Sequence, residues 1–166
     1  MSIENIYLES VIKRFKEYKE LADKSFARLK DDDFHFTPNE ASNSIAVIIQ
    51  HMHGNMMSRW TNFLSEDGEK DWRKRDDEFE IHDFTQQQLI NKWEEGWKIL
   101  FDVLESLKPA DLSGTITIRN QPLIVIDAIN RQLAHYSSHV GQIIYIAKWI
   151  RNQEWQSLSI PKGSKK

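Results

Sequence analysis

His135 and His139 stand four residues apart in the stretch Gln132-Leu133-Ala134-His135-Tyr136-Ser137-Ser138-His139-Val140-Gly141-Gln142. On a helix, positions i and i+4 share a face with Cβ atoms about 5–6 Å apart, so two imidazoles at that spacing reach one metal ion. On a wheel of about 100° per residue the pair falls beside the apolar stripe, on a flank shared with Ala128, Gln132 and Ile146. A site built there would line a cleft at the edge of a core. Without a third ligand, the two rings would simply be half-exposed histidines hydrogen-bonded to solvent or backbone.

Catalytic zinc takes three protein ligands and keeps one position open. The third ligand must come from another element, and the stretch Gln50-His51-Met52-His53 offers two candidates. Residues two apart on a helix point in nearly opposite directions, so His51 and His53 cannot both face one site. His53 lies nearer the centre of the local apolar stripe. His51 lies on a more polar flank with Asn55, Ser58 and Asn62. Periodicity leaves the choice open. His35 and His82 fall in segments that read as loops, where a solvated surface histidine is the default.

The elements that must position these residues are mostly helical. From about Ile3 to Leu29, apolar residues recur at helical spacing (Leu8, Val11, Phe15, Ala22, Phe26). Lys30-Asp31-Asp32-Asp33 breaks the pattern, and Phe34 to Pro38 reads as a loop, since the residue before proline avoids the helical region. A second helix begins near Asn43 or Ser44, both good N-caps, and ends around Leu64. Glu69 to Asp83 is a charged excursion carrying Trp72 and Phe79. A loop of that length either binds something, packs over an opening, or is a pinned connector. Thr85 and Gln88 have the spacing of a capping box for a third helix that stops before Pro109. Gly114 to Gln121 alternates threonine and isoleucine, which suits a small hairpin turning at Asn120. A fourth helix is expected from about Pro122, with proline in its first turn, to Asn152. Trp155 to Lys166 reads as irregular. Four amphipathic helices predict an all-α four-helix bundle with a hairpin ornament before the last helix, in a single domain over residues 1–166.

Composition narrows the function classes. The chain has no cysteine, which rules out disulfides, thiolate metal ligands and a thiol nucleophile of its own, and fits a cytoplasmic protein. Its net charge of −3 supplies no cationic stripe for nucleic acid, and the basic tail Pro161 to Lys166 is too short to change that. No apolar run approaches the roughly 20 residues that cross a bilayer, so no membrane partner is expected. Met1-Ser2-Ile3-Glu4-Asn5 does not read as a signal peptide. Six tryptophans point to aromatic packing.

Ile48-Ile49-Gln50-His51-Met52 and the later Leu133 to Ile143 stretch together resemble the DinB/YfiT-like superfamily of metalloenzymes. That superfamily has one histidine after an apolar pair in its second helix and a HxxxHxGQ-type pattern in a later one. Gly54 to Trp60, through Asp67-Gly68-Glu69, looks like the uncharacterised DinB-like subgroup. The resemblance spans nearly the whole chain. It implies a four-helix bundle holding one divalent metal through His51, His135 and His139, and it selects His51 over His53. It also implies a homodimer. The family pattern often has arginine after the last histidine; this chain has Val140, which leaves the metal set intact but supplies no such arginine. Relatives of this kind include thiol-dependent transferases that use bacillithiol or mycothiol, and maleylpyruvate isomerases.

Three neutral imidazoles would leave the ion's charge uncompensated. The expected chemistry is then attack by an activated water on an electrophile, or transfer of a small-molecule thiolate brought from outside. Imidazole suits several metals, with nickel or zinc expected here. Asn55 and Gln132 are the candidates for polar groups that touch a small-molecule substrate; otherwise they are helix-flank surface residues. No carboxylate stands out as a general base, and no catalytic residue is assigned. The contrasting expectations are a non-catalytic metal-binding or stress-response module without turnover, and a structural bundle with incidental histidines.

Overall fold

The computed structural model describes residues 2–161 and residue 163, so most of the basic tail lies outside the described residues. Four long helices run through the chain: α1 (Ile3–Phe26), α2 (Ile45–Trp60), α3 (Gln86–Ser106) and α4 (Val125–Arg151). A two-stranded antiparallel hairpin, β1 (Thr115–Ile118) and β2 (Gln121–Ile124), stands directly before α4. The protein is an all-α bundle with a small hairpin ornament. Among the described residues no helix is long and apolar enough to cross a membrane.

Local chemistry starts the helices. The Ser44 hydroxyl accepts from the Val47 amide at 3.2 Å and opens α2. Thr85 and Gln88 satisfy each other's free amides at the start of α3, as a capping box requires. Three expected helix boundaries move. α1 stops at Phe26, and Asp31–His35 forms a 3₁₀ turn that buries Phe34 under the bundle. α2 stops at Trp60 rather than near Leu64: Thr61 turns extended (φ −64°, ψ 122°) and Asn62 then takes a left-handed conformation (φ 50°). Pro122 is not in the first turn of α4. It sits in β2 opposite Thr117, and α4 begins three residues later. Its fixed φ suits an edge strand as well as a helix start, and the turn before it decides.

That turn is Arg119-Asn120, with φ of 55° and 59°. Two positive φ values make the two-residue hairpin connection whose twist matches the strands. The Asp67 carboxylate accepts from both turn amides, each at 2.8 Å, and from the Glu69 amide at 2.7 Å. Desolvation works against its charge, but these backbone donors prevail and hold its pKa at about 2. The hairpin is thereby tied to the connector that follows α2.

The core lies between the helices, with α2 packed on α3 and α1 on α4. Its centre is aromatic: Phe15, Trp97 and Tyr136 meet with ring centroids 6.0–6.2 Å apart. Tyr136 is fully buried on α4. Its hydroxyl accepts from Trp60 Nε1 at 3.1 Å and donates to Asn55 Oδ1 at 2.9 Å. This chain runs from the core to the side of α2 that carries His51.

Candidate metal centre

Tyr136, Val140 and Ile143 anchor the buried stripe of α4. His135 and His139 sit one step off that stripe, half-buried, as the wheel implies. Across from them α2 presents His51, only 6% exposed. His51 Nε2 lies 3.2 Å from His135 Nε2, and His139 Nε2 lies 3.0 Å from the same atom. The three histidines form a group whose ligand atoms all lie within 4.8 Å of one another.

The opposite edge of each flanking ring is engaged. His51 Nδ1–H donates to Glu78 Oε2 at 2.9 Å, and His139 Nδ1–H donates to Gln142 Oε1 at 2.9 Å. With the proton on Nδ1, each Nε2 carries a lone pair. His135 Nε2 therefore faces two acceptors and can donate to only one of them. A cation at the centre satisfies all three lone pairs together. Metal–nitrogen bonds of about 2.0–2.1 Å in a tetrahedral site separate the ligand nitrogens by about 3.3 Å. The two spacings at His135 Nε2 are close to that, and the three histidines could hold a metal ion.

Burial favours the neutral form of His135 and His139. Burial pushes His135 down to about 3, helped by the charges of His139, His51, Arg73 and Arg59. Burial also lowers His139, against the opposing hydrogen bond that it donates to Gln142 Oε1. Glu78 stays ionised: burial works against its charge, but the Arg73 guanidinium and then His51 hold its pKa below the ordinary carboxylate value. Arg73 grips Glu78 with two bonds, Nε to Oε1 at 2.7 Å and Nη2 to Oε2 at 2.8 Å. The Phe79 ring lies against the His51 ring with centroids 4.8 Å apart.

His53 goes elsewhere. It is half-buried on α2, donates to Glu95 of α3 at 2.8 Å, and takes no part in the group. Of the flank expected to be more polar and outward, His51, Asn55 and Ser58 are buried, while Asn62 lies beyond α2 and is exposed. The connector hydrogen-bonds to Ser58 through the Gly68 carbonyl and the Lys70 amide. His35 is exposed and His82 half-buried; each has a ring nitrogen at a backbone carbonyl, of Phe84 and Asp77 respectively.

Asn55 and Gln132 are 5% and 4% exposed, and both line a cavity of about 220 Å³ that shares His51 and His135 with the triad. Because Asn55 Oδ1 is taken by the Tyr136 hydroxyl, its NH₂ end is the one left to give.

Sequence reasoning did not identify Glu78 and Arg73, which lie in the charged connector. One signal pointed there. Gly54 interrupts a good helix one turn after His51, and a Cβ on it would lie 2.1 Å from Glu78 Oε1. The glycine is the space in which the carboxylate sits. Gly141, by contrast, would meet nothing within 4 Å.

A model of the family described as "Protein of unknown function (DUF1572)" matches residues 2–164, and the chain belongs to that family. No curated protein matches it.

Proposed function

We propose that this DUF1572 chain is a DinB-like metal-dependent enzyme. One divalent ion, nickel or zinc, is held by His51, His135 and His139, and a small molecule is processed beside it by hydrolysis or by S-transfer of an external thiol. The observation that carries this reading is the convergence of three Nε2 atoms, two of them on rings whose Nδ1 protons are committed to Glu78 and Gln142. Structural zinc sites are four-coordinate and closed, whereas three protein ligands and an adjoining cavity match the open, catalytic arrangement. When bound, such an ion supplies Lewis acidity, lowering the pKa of a coordinated water to about 7 or stabilising a thiol as its thiolate.

The chain's own residues do the rest. Glu78 and Gln142 fix the tautomer and tilt of two rings, as outer partners of metal-binding histidines do. Phe79 covers one face of the His51 ring and keeps water from it. Asn55 and Gln132 offer amide groups at the cavity wall. The chain has no cysteine, so any thiol is a co-substrate. Pairing of two copies belongs to the same proposal and is checked by light scattering.

Elemental analysis of untagged, freshly purified protein tests the reading. About one equivalent of a divalent transition metal per chain is expected, lost in His135→Ala. Chelator should lower the Tm of the wild type but not of His135→Ala, since only a ligand of the folded state adds stability. Metal below about a tenth of stoichiometric after reconstitution refutes the proposal. Full occupancy without turnover of any thiol and electrophile pair would favour a non-catalytic metal-binding module.

A further inference from the structure

The cavity beside the triad is lined by His51, His135, Asn55 and Gln132 on one side. Its remaining lining is Arg59, Arg73, Arg75, Arg119 and Arg131, and no carboxylate lines it among the described residues. The arginines come from four places: α2, the connector, the hairpin turn and α4.

Two carboxylates stand behind this wall. Glu69 meets Arg59 at 2.9 Å, Arg119 at 3.0 Å and Arg73 at 3.3 Å, and Glu78 meets Arg73. A purely structural clasp would balance its charges, and this one does not. Arg75 has only exposed Asp76 at 3.6 Å, and Arg131 makes no ion pair among the described residues. The imidazoles beside the cavity bring no negative charge, and a divalent ion among them would add positive charge. A cleft walled in this way concentrates its field on the space inside and draws in anions.

Two polar atoms of residues that line the cavity are buried without a partner among the described residues. The Arg59 side chain is 5% exposed; its Nη1 donates to the Gly68 carbonyl and its Nη2 to Glu69, but its Nε–H has no acceptor among the described residues. Gln132 Oε1 likewise has no donor among the described residues. The planar guanidinium fork matches a carboxylate or phosphate edge with two parallel bonds.

We propose that this arginine-lined cavity binds the oxyanion end, carboxylate or phosphate, of the small molecule whose reactive atom meets the triad. Assignment of that molecule as a substrate rests on the metal-enzyme reading above; the anion binding itself does not need the ion. Arg131 and Arg75, the two with least compensation, are the forks most available to the ligand.

The test is calorimetric titration of the full chain with inorganic phosphate, succinate and uncharged succinamide at constant ionic strength. It is run with and without metal, on wild type and on Arg75→Gln/Arg131→Gln. One anion per chain is expected, bound at least about tenfold more weakly by the double variant, and still bound by metal-stripped wild type. Succinamide should not bind. The tighter of phosphate and succinate identifies the oxyanion. Equal anion affinity in wild type and double variant, or succinamide binding as well as succinate, overturns the proposal. Metal content of the same samples separates the two readings. A chain without metal whose anion affinity still depends on the arginines keeps the anion site and removes the metal enzyme. A chain with full metal and no such dependence removes the anion site alone.

Discussion

Replacing Gly54 by alanine puts a methyl group where Glu78 now lies: the new Cβ would be 2.1 Å from Oε1 and 2.6 Å from Cδ. The glutamate tip is the movable partner, so it must swing away from α2. His51 Nδ1–H then loses its acceptor, and Arg73 loses both of its bonds to Glu78. Removing an outer hydrogen bond of this kind costs about 10–100-fold in metal affinity, or about 1.4–2.8 kcal/mol. Alanine adds about 1 kcal/mol of helix propensity at a mid-helix glycine, which offsets only part of the cost of parting Glu78 and Arg73, whose side chains are 9% and 2% exposed. The metal-free Gly54→Ala protein should therefore melt below the wild type. Its metal Kd, read by competition with a chromophoric chelator, should be 10–100-fold weaker. Glu78→Gln is the companion: it keeps an acceptor for His51 and should lose less affinity than Gly54→Ala. A Gly54→Ala protein that binds metal within about threefold of wild type refutes the argument that this carboxylate tunes the site.

Two further outcomes follow from the same structure. Metal-free protein should be acid-labile: His135 titrates at about 3 when folded against an ordinary 6.5, so the unfolded chain takes the proton first, and stability present above 6.5 is lost as pH falls towards 3. Melting of chelator-treated protein at neutral and mildly acidic pH checks this, and His135→Gln should flatten the dependence; an unchanged slope in the variant would contradict it. Tyr136→Phe removes the hydroxyl between Trp60 and Asn55, leaves a buried N–H and a buried carbonyl oxygen unmatched, and should cost about 1–3 kcal/mol in urea denaturation, with a loss below about 0.5 kcal/mol arguing that water replaces it.

What the sequence disclosed depends on how local the cause was. Ser44, Thr85 and Gln88 act within three residues of their partners, so the starts of α2 and α3 could be read directly. His135 and His139 share a face through helix geometry alone. Pro122 misled because its φ serves strand and helix equally, and the deciding feature was a turn with two positive φ values just before it. His51 and His53 could not be ranked by periodicity, since periodicity reports burial against the bundle. Most of α2 is buried, one flank by the bundle and the other by a connector whose Glu78 is 27 residues from His51. The arginine wall was invisible for the same reason: Arg59 and Arg119 are far apart in the chain and meet through Glu69, and Arg131 joins the cavity lining from α4.

The hairpin turn carries one more consequence. Arg119 is held at φ 55°, a conformation that costs a residue with a side chain about 1–2 kcal/mol and a glycine nothing. Asp67 offsets part of that cost by accepting the turn amides. A glycine at 119 would make the turn easier to form while removing one guanidinium from the cavity. At this residue ease of folding and grip on a ligand pull in opposite directions, and the chain carries the side chain.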